Sequence, residues 1–305
     1  MQHKWEMSMR INFIQEFLDK IKTEIDYKSK IPYKLFYIGN AKNSNAGDMF
    51  NVNIMQYFHL PFIKTRISAA NMLNVGSVLG QIVVPKNSVQ NVKQRDCIII
   101  GSGFIEEEQF EEKLIKDIKI YALRGELTKK RLEKLLNKEI NCPLADPGLL
   151  ISYLYPLKCA KKYKVGIIPH YVDKKADFLK CIKLEKYNYK IVDIEQNIKV
   201  LSKDINECEL ILSSSLHGLI FADSYNIPNR QIIMSNNVKG GLYKFKDYYS
   251  SFNMNLPEPV DLRQRIIDDS LVERIAQEYK YNGQQIEVKQ KELIEIYSNL
   301  SNSCK

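Results

Sequence analysis

A histidine that follows a run of serines is the feature of the sequence best suited to chemistry. His217 comes directly after Ser213-Ser214-Ser215-Leu216, at the corner where a predicted strand meets a predicted helix. A histidine at such a corner can exchange a proton near neutral pH, and serine hydroxyls beside the first N–H groups of a helix can bind an anion. We therefore interpret His217 as a proton-transfer residue and Ser214 and Ser215 as anion ligands. The alternative is a histidine that caps the helix, with serines filling turn positions.

An arginine leaves a second apolar run, in the sequence Leu123-Arg124-Gly125. Because it stands between a predicted buried strand and a helix start, Arg124 is expected to point into the space beyond the strand end. Its planar guanidinium can bind a carboxylate or a phosphate through two hydrogen bonds. The alternative is a surface arginine paired with a nearby carboxylate such as Glu126.

Two further polar segments follow predicted strands. His170 and Tyr171 come after a proline that stiffens the turn, and they offer polar groups at a strand end. In Asn45-Ala46-Gly47-Asp48 the glycine permits a close approach, and Asp48 could accept the proton of a sugar hydroxyl. The alternatives are a packing turn for the first segment and a simple helix cap for the second.

A late segment interleaves glycines, lysines and aromatic residues between Lys239 and Tyr249. Such a segment, which includes Lys244 and Tyr248, could wrap a phosphate or stack on a sugar. Proteins that bind single-stranded nucleic acid have similar segments. The alternative is a solvated loop.

Short apolar runs alternate with helical patterns along most of the chain. The runs that predict strands lie at residues 34–39, 96–100, 118–123, 163–168, 190–194, 209–212 and 231–234. Helical spacing predicts helices over 11–21, 128–136 (with Thr128 as its cap), 219–225 and within 263–300. This alternation implies an α/β fold with a parallel sheet covered on both faces. In such sheets ligands bind beyond the carboxyl ends of the strands, where the polar segments lie.

The chain is long enough for two domains, since its 305 residues compare with about 100–200 per domain. Residues 155–162, with a proline and several lysines, are the best linker candidate. We predict two α/β halves, 1–158 and 159–305, the second of which carries the C-terminal helices. Their strand ends would face one cleft, an architecture common among sugar-transferring enzymes.

Composition excludes several classes of protein. The hydrophobic share of 45% and the charged share of 27% are typical of a soluble globular protein, and we expect neither a signal peptide nor a membrane anchor. The formal net charge of +9 favours anionic partners, such as nucleic acid, phosphorylated small molecules or an anionic membrane face. The six cysteines are scattered, which argues against a zinc site and predicts reduced thiols in a cytosolic protein.

Taken in order, these segments and their neighbours resemble the polysaccharide pyruvyl transferase family, most closely the ketal-pyruvate transferases of exopolysaccharide and capsule synthesis. The matching motifs are Asn45-Ala46-Gly47-Asp48, Gly101-Ser102-Gly103-Phe104, Arg124-Gly125-Glu126-Leu127-Thr128, Asp146-Pro147-Gly148-Leu149-Leu150, Ile168-Pro169-His170-Tyr171, Ser213-Ser214-Ser215-Leu216-His217-Gly218, Ala222-Asp223-Ser224-Tyr225 with Ile227-Pro228, and Lys244-Phe245-Lys246-Asp247-Tyr248-Tyr249. Three positions depart from the family pattern. Ala46, Ala145 and Ser215 stand where relatives often carry phenylalanine, glycine and arginine.

The resemblance implies a transferase that moves the enolpyruvyl unit of phosphoenolpyruvate onto two hydroxyls of one sugar and releases phosphate. The product would be a cyclic ketal, for example 4,6-linked on a hexose such as galactose. The chemistry needs no metal and no cofactor, because phosphoenolpyruvate is a substrate. The implied architecture is two Rossmann-like domains facing a cleft, similar to the GT-B glycosyltransferases.

The resemblance also implies roles for the candidate residues. The catalytic residues would be His217 and Asp48. The donor would be bound by Arg124, Ser214, Ser215, His170 and Lys244, and the acceptor by Asn45, Tyr171 and Tyr248. The acceptor would be a lipid-linked capsule or exopolysaccharide repeat in a bacterial cytoplasm, with peripheral contact at the inner membrane face and no nucleic acid partner.

Two other functions stay open. A nucleotide-sugar-dependent GT-B glycosyltransferase would use the same scaffold and release a nucleoside diphosphate. A basic polyanion-binding protein would bind in a salt-sensitive way without turnover.

Overall fold

Two parallel sheets and their covering helices form the protein in the computed structural model, which describes residues 28–39, 45–88, 96–263, 266–279 and 283–304. The helix predicted over 11–21 lies outside the described residues. The mixed α/β character and the parallel sheets predicted from the alternating patterns are confirmed.

The described strands are β1 (Tyr33–Phe36), β2 (Phe62–Lys64), β3 (Met72–Leu73), β4 (Val83–Pro85), β5 (Cys97–Ile100), β6 (Glu112–Leu114), β7 (Ile118–Ala122), β8 (Tyr163–Ile168), β9 (Tyr189–Ile191), β10 (Cys208–Ser213), β11 (Asn229–Ile233) and β12 (Val260–Asp261). The described α-helices are α1 (Ala46–Tyr57), α2 (Glu126–Leu136), α3 (Ile151–Leu154), α4 (Asp177–Cys181), α5 (Leu184–Tyr187), α6 (Ile198–Asn206), α7 (Leu216–Ser224), α8 (Tyr243–Ser250), α9 (Asp269–Glu278) and α10 (Gly283–Asn302). Short 3₁₀ helices cover Leu79–Ile82, Pro147–Leu150 and Tyr171–Asp173. Within the described residues, no helix combines the length and the apolar character needed to cross a membrane.

The two large sheets share one strand order. The first runs β2-β1-β3-β5-β7 and the second runs β12-β11-β10-β8-β9, and the pairings within both are parallel. If the strands of each sheet are numbered 1 to 5 in chain order, the first sheet has the order 2-1-3-4-5. The second sheet has the same order when it is described from β9 to β12. This order places a switch point between β1 and β3 and another between β8 and β10, where open α/β sheets bind their ligands. Strands β4 and β6 form a separate antiparallel pair.

The central strands of the second sheet lead directly to the predicted site residues. β10 ends with four consecutive buried residues, from Leu210 to Ser213, because helices cover both faces of the sheet. β8 spans the predicted residues and is followed by Pro169 and His170. The carboxyl ends of these paired strands therefore bring the His170 loop next to the loop that leads to His217.

Two helices begin earlier than the sequence pattern predicts. α2 begins at Glu126 with Gly125 as its N-cap, so the prediction that Thr128 caps this helix is wrong. The Thr128 hydroxyl instead donates to a carboxylate of α8, Asp247, at 2.6 Å. α7 begins at Leu216 and therefore contains His217 in its first turn.

The C-terminal helix α10 packs back on the first half of the chain. The hydroxyl of Tyr297 donates to Oδ1 of Asn74, and Tyr297 belongs to a buried cluster with Phe50 and Phe221. The rings of Phe50 in α1 and Phe221 in α7 meet edge to face with their centroids 5.6 Å apart. The two halves thus share part of a core, and the domain boundary after residue 158 stays a prediction.

Candidate active site

The beginning of α1 lies directly against His217 of α7. Asn45 caps α1 by accepting a hydrogen bond from the N–H of Gly47 at 2.9 Å, and the N–H of Ala46 donates to the carbonyl of Ile194 at 2.8 Å. Gly47 has no room for a side chain, because a Cβ there would lie 2.1 Å from Cγ of the His217 ring. Both halves of the chain therefore contribute to one cluster of side chains around His217.

The His217 ring is buried and electrically neutral at neutral pH. The residue is 7% exposed, and its Nε2 has no hydrogen-bond partner among the described residues. Burial lowers the pKa of His217 to about 3, and the positive charges of Arg124 and Lys244 and the nearby His170 act in the same direction. The ring can therefore accept a proton, and a negatively charged ligand beside it would raise its pKa.

Arg124 is fully buried and is held by residues distant in sequence. Its Nε donates to Oδ2 of Asp247 at 2.9 Å, Nη2 donates to the carbonyl of Phe104 at 2.6 Å, and Nη1 donates to the Ser77 hydroxyl. Asp247 also accepts from the N–H of Thr128 at 2.8 Å. Arg124 is thus no surface arginine paired with a neighbour. Since a guanidinium has five N–H donors, two remain beyond these three bonds.

Lys244 is a second buried cation, one helical turn before Asp247 in α8. The residue is 6% exposed, and no carboxylate of the described residues lies within ion-pair distance of its ammonium. Burial lowers the pKa of Lys244 to about 8, with Arg124 acting in the same direction and Asp48 and Asp173 opposing the shift. A buried ammonium without an ion pair is costly, so this position attracts an anion.

Two carboxyl groups with raised pKa values lie in the same cluster. Burial raises the pKa of Asp48 to about 7, with Lys244 opposing the shift and Asp146 adding to it. Burial also raises the pKa of Asp146 to about 6, against the opposing effects of the Gly148 N–H and Arg124. Asp146 Oδ1 accepts from the N–H of Gly148 at 2.9 Å, while its Oδ2 is buried without a partner among the described residues. Asp48 is therefore partly protonated at neutral pH.

The loops after β8 and β10 are tied together through Ser214. Its hydroxyl donates to Oδ2 of Asp173 at 2.6 Å and accepts from the N–H of His170 at 2.8 Å. The Ser235 hydroxyl donates to the other oxygen of Asp173. Burial lowers the pKa of His170 to about 4, helped by Lys244 and opposed by Asp173. Ser214 thus fixes the position of His170, which is itself half-buried.

The remaining predicted site residues occupy different surroundings. Ser215 is buried and is the N-cap residue of α7. Asn45 is half-buried, and Tyr171 is 53% exposed, with its ring 4.4 Å from that of His170. Tyr248 is fully buried, and its hydroxyl donates to Oδ2 of Asp223 at 2.8 Å. The structure therefore brings Asn45 and Tyr171 to the edge of the cluster but places Tyr248 in the core, out of reach of a sugar.

The cluster combines positive charge with groups that carry protons. Arg124, Lys244 and the N-terminus of α7 favour an anion, while His217 and Asp48 can accept and donate protons. The chemistry available is therefore proton transfer to and from a bound anionic substrate. In the part of the chain that the structure describes, no three His, Cys, Asp or Glu side chains are grouped as a metal ion requires.

Comparison with known proteins identifies the family of this chain. A family model described as polysaccharide pyruvyl transferase matches residues 15–233, which is most of the chain, and the protein belongs to this family. An uncharacterized protein of Acanthamoeba polyphaga mimivirus is 30% identical over 221 residues, covering 70% of this chain and 73% of that protein. The succinoglycan biosynthesis protein ExoV of Rhizobium meliloti is 24% identical over 213 residues, covering 70% of this chain and 63% of that protein. The resemblance identified from the short motifs is confirmed.

Sequence reasoning assigned no role to three residues that hold the cluster together. Asp247 fixes Arg124, Asp173 fixes Ser214, and Asp146 brings a buried carboxyl close enough to raise the pKa of Asp48. Asp146 and Asp247 each lie within one of the matching motifs, so the family motifs could have identified both residues as candidates. Asp173 lies just after such a motif and carried no signal of its own.

Proposed function

We propose that the protein transfers the pyruvyl group of phosphoenolpyruvate onto two hydroxyls of one sugar in a polysaccharide repeat, forming a cyclic ketal and releasing phosphate. The observation that carries the proposal is Lys244, a buried cation without an ion pair among the described residues, close enough to His217 to lower its pKa. A donor with a phosphate and a carboxylate supplies the missing negative charge. Membership of the family supports a transferase, and the succinoglycan relative supports a polysaccharide acceptor.

Donor binding uses the positive side of the cluster in this proposal. Lys244 and the two remaining N–H groups of Arg124 bind the phosphate and the carboxylate, since charge-assisted hydrogen bonds are the strong ones. The N–H groups at the start of α7, beginning after Ser215, stabilise the charge that develops as phosphate leaves. Ser214 and His170 complete the polar surface around the donor.

The reaction redistributes two protons. One proton is delivered to the methylene carbon of the donor, which makes the neighbouring carbon electrophilic, and the first sugar hydroxyl adds there as it loses its own proton. Phosphate then leaves with the bridging oxygen, and the second hydroxyl adds to the same carbon. Of the two protons lost by the hydroxyls, the product methyl group gains the equivalent of one and phosphate gains the other. The enzyme must therefore provide one acid, one base and a fixed orientation of both hydroxyls.

We assign the acid to Asp48 and the base to His217, whereas the sequence pattern suggested that Asp48 accepts a proton. The raised pKa of Asp48, about 7, leaves it partly protonated at neutral pH, whereas the pKa of about 3 leaves His217 neutral. The negative charge of a bound donor raises both pKa values. Asp48 then holds its proton more firmly before delivery, and His217 moves toward the pH at which a base is most effective.

The acceptor occupies the more exposed edge of the cluster in this proposal. Tyr171 and Asn45 lie there, and a ring such as that of Tyr171 can pack against a sugar. The two Rossmann-like halves would face the donor from opposite sides, as in GT-B glycosyltransferases. We further propose that the repeat is lipid-linked at the cytoplasmic face of a membrane, because a net charge of +9 attracts the protein to anionic headgroups.

The proposal is tested by incubating the protein with phosphoenolpyruvate and a panel of hexose-containing acceptors. We expect phosphate release that depends on an acceptor, and an acceptor mass raised by one pyruvate minus one water. The His217→Gln variant serves as the control for contaminating activity. Nucleoside diphosphate release from nucleotide sugars, or phosphate release that gives only free pyruvate with every acceptor, would contradict the proposal.

A further inference from the structure

A pocket of about 700 Å³ opens at the amino edge of the second sheet, opposite to the candidate active site. β11 and β12 begin at this edge, at Asn229 and Val260, and the loop over residues 253–259 forms one wall. β11 is five residues long, so about 13 Å of strand separates this edge from the carboxyl edge. The volume falls in the range of small-ligand sites, roughly 300–1,000 Å³.

Two buried polar atoms at this pocket lack hydrogen-bond partners among the described residues. They are Nε of Arg230 and Oδ1 of Asn229, on residues that are 7% and 4% exposed. Buried polar groups are nearly always paired, since an unpaired group keeps the full cost of losing water. One of these atoms is a donor and the other an acceptor. Neither atom is exposed in this structure. A ligand hydroxyl, which both donates and accepts, could bond to either atom after a change of side-chain rotamer.

The charges that line the pocket are balanced. Arg230 and Arg274 are offset by Glu258 and Glu278. The terminal nitrogens of Arg230 are already bonded, since Nη2 donates to Oε2 of Glu278 at 2.7 Å and Nη1 donates to the carbonyl of Glu258 at 3.2 Å. These bonds use two of the five N–H donors of Arg230, and the carboxylate of Glu278 neutralises its charge. The lining favours an uncharged ligand with several hydroxyl groups over an anion.

Apolar and amide groups complete the lining. Tyr279 contributes a half-buried aromatic ring, Pro257 contributes apolar surface, and Asn253 and Asn255 contribute exposed amides. A saccharide site requires aromatic surface that packs against the C–H faces of the sugar. It also requires amides that donate to and accept from the sugar hydroxyls.

We propose that this pocket binds a neutral segment of the polysaccharide, away from the sugar that reacts. The identification of the saccharide as part of the acceptor rests on the proposed function, whereas the binding itself does not. The pocket would hold the acceptor chain on the second half of the protein while a different sugar of the chain occupies the catalytic cluster.

Binding is tested on the full chain, without phosphoenolpyruvate, by titration calorimetry with neutral tetrasaccharides of glucose and of galactose and with an acidic tetrasaccharide of galacturonate. We expect saturable binding of a neutral tetrasaccharide, weakened about tenfold, the equivalent of one lost hydrogen bond of about 1.4 kcal/mol, by Arg274→Ala and by Asn255→Ala. Both residues are exposed, so their loss leaves folding intact. Gln277→Ala, an exposed position on the same helix outside the pocket lining, is the matched control.

Each other outcome overturns the proposal. Absence of binding by every neutral tetrasaccharide at about 10 mM would overturn it, as would tighter binding of the acidic tetrasaccharide. Equal weakening by Gln277→Ala would show that the pocket is not the site. A protein that binds the neutral tetrasaccharide in this way but forms no ketal would contradict the proposed function and leave this site in place.

Discussion

Replacing Gly47 with alanine tests the geometry around His217 with a single methyl group. The new Cβ would lie 2.1 Å from Cγ and from Nδ1 of the His217 ring, whereas ordinary contacts begin at 3.4 Å. The ring or the start of α1 must therefore move by about 1.3 Å, the difference between these two distances. The ring has little freedom to move, because His217 is buried in the first turn of α7.

We expect Gly47→Ala to lower kcat about 100-fold, because a displacement of about 1 Å at a reacting group has a cost of that order. Overpacking should also lower the free energy of unfolding by about 1–3 kcal/mol, which a folded protein of this size can sustain. The measurements are the initial rate of phosphate release with saturating phosphoenolpyruvate and acceptor, and the Tm from a thermal melt. Circular dichroism at the assay temperature would show that the variant is folded.

Gly80→Ala is the matched control for this substitution. A Cβ at Gly80 would have no heavy atom within 4 Å, and the residue is exposed in a short 3₁₀ helix. We expect its kcat to equal that of the unmodified protein. A kcat for Gly47→Ala within about threefold of the Gly80→Ala value, far less than the loss that misplacement brings, would refute the reasoning that His217 must stay in its observed position.

Three further predictions concern the same cluster. His217→Gln should lower kcat by about 10²–10⁴-fold with an unchanged Tm, and a kcat near that of the unmodified protein would remove His217 from the chemistry. Asp247→Asn should lower the free energy of unfolding by about 3–5 kcal/mol, because it leaves Arg124 buried without its ion pair. The control is Asp269→Asn, which breaks the exposed ion pair between Asp269 and Lys164 and should leave Tm unchanged in the same melts, because exposed pairs contribute little. The affinity for phosphoenolpyruvate, measured by calorimetry, should fall as pH rises through about 7 and about 8, because Asp48 gains a negative charge and Lys244 loses its positive charge over that range. A constant or rising affinity over that range would contradict the assignment of Lys244 as the donor's cation.

Local patterns were sufficient to predict the strands that are longest and most apolar. β8 and β10 are central strands buried on both faces, so their runs of apolar residues mark them in the sequence. β2, β3 and β12 have only two or three residues each, too few for any periodicity, and they were not predicted. The strand order 2-1-3-4-5 depends on contacts between distant segments and could not be read from either half.

The predicted site shows the same division between local and distant information. His217 and His170 follow strand ends and could be found from their position alone. The partner of Arg124 could not be found in this way, because Asp247 lies 123 residues further along the chain. Tyr248 shared its segment with Lys244, yet its hydroxyl is bonded to Asp223 in the core, and only the packing of α8 decides between these two surroundings. Thr128 was predicted to cap a helix because its partner is also distant in sequence. Its N–H and its hydroxyl both donate to Asp247.

The central claim is that the donor carbon becomes the ketal carbon, and the fate of one oxygen atom tests it most directly. In this chemistry both ketal oxygens come from the sugar, so the bridging oxygen of phosphoenolpyruvate must leave with phosphate. Phosphoenolpyruvate labelled with oxygen-18 at the bridging position is incubated with the protein and an acceptor, and both products are analysed by mass spectrometry. We predict that the label is found in phosphate and that the pyruvylated acceptor carries none. Label retained in free pyruvate or in the acceptor would mean that the phosphorus–oxygen bond breaks instead, and that result would contradict ketal transfer by this protein.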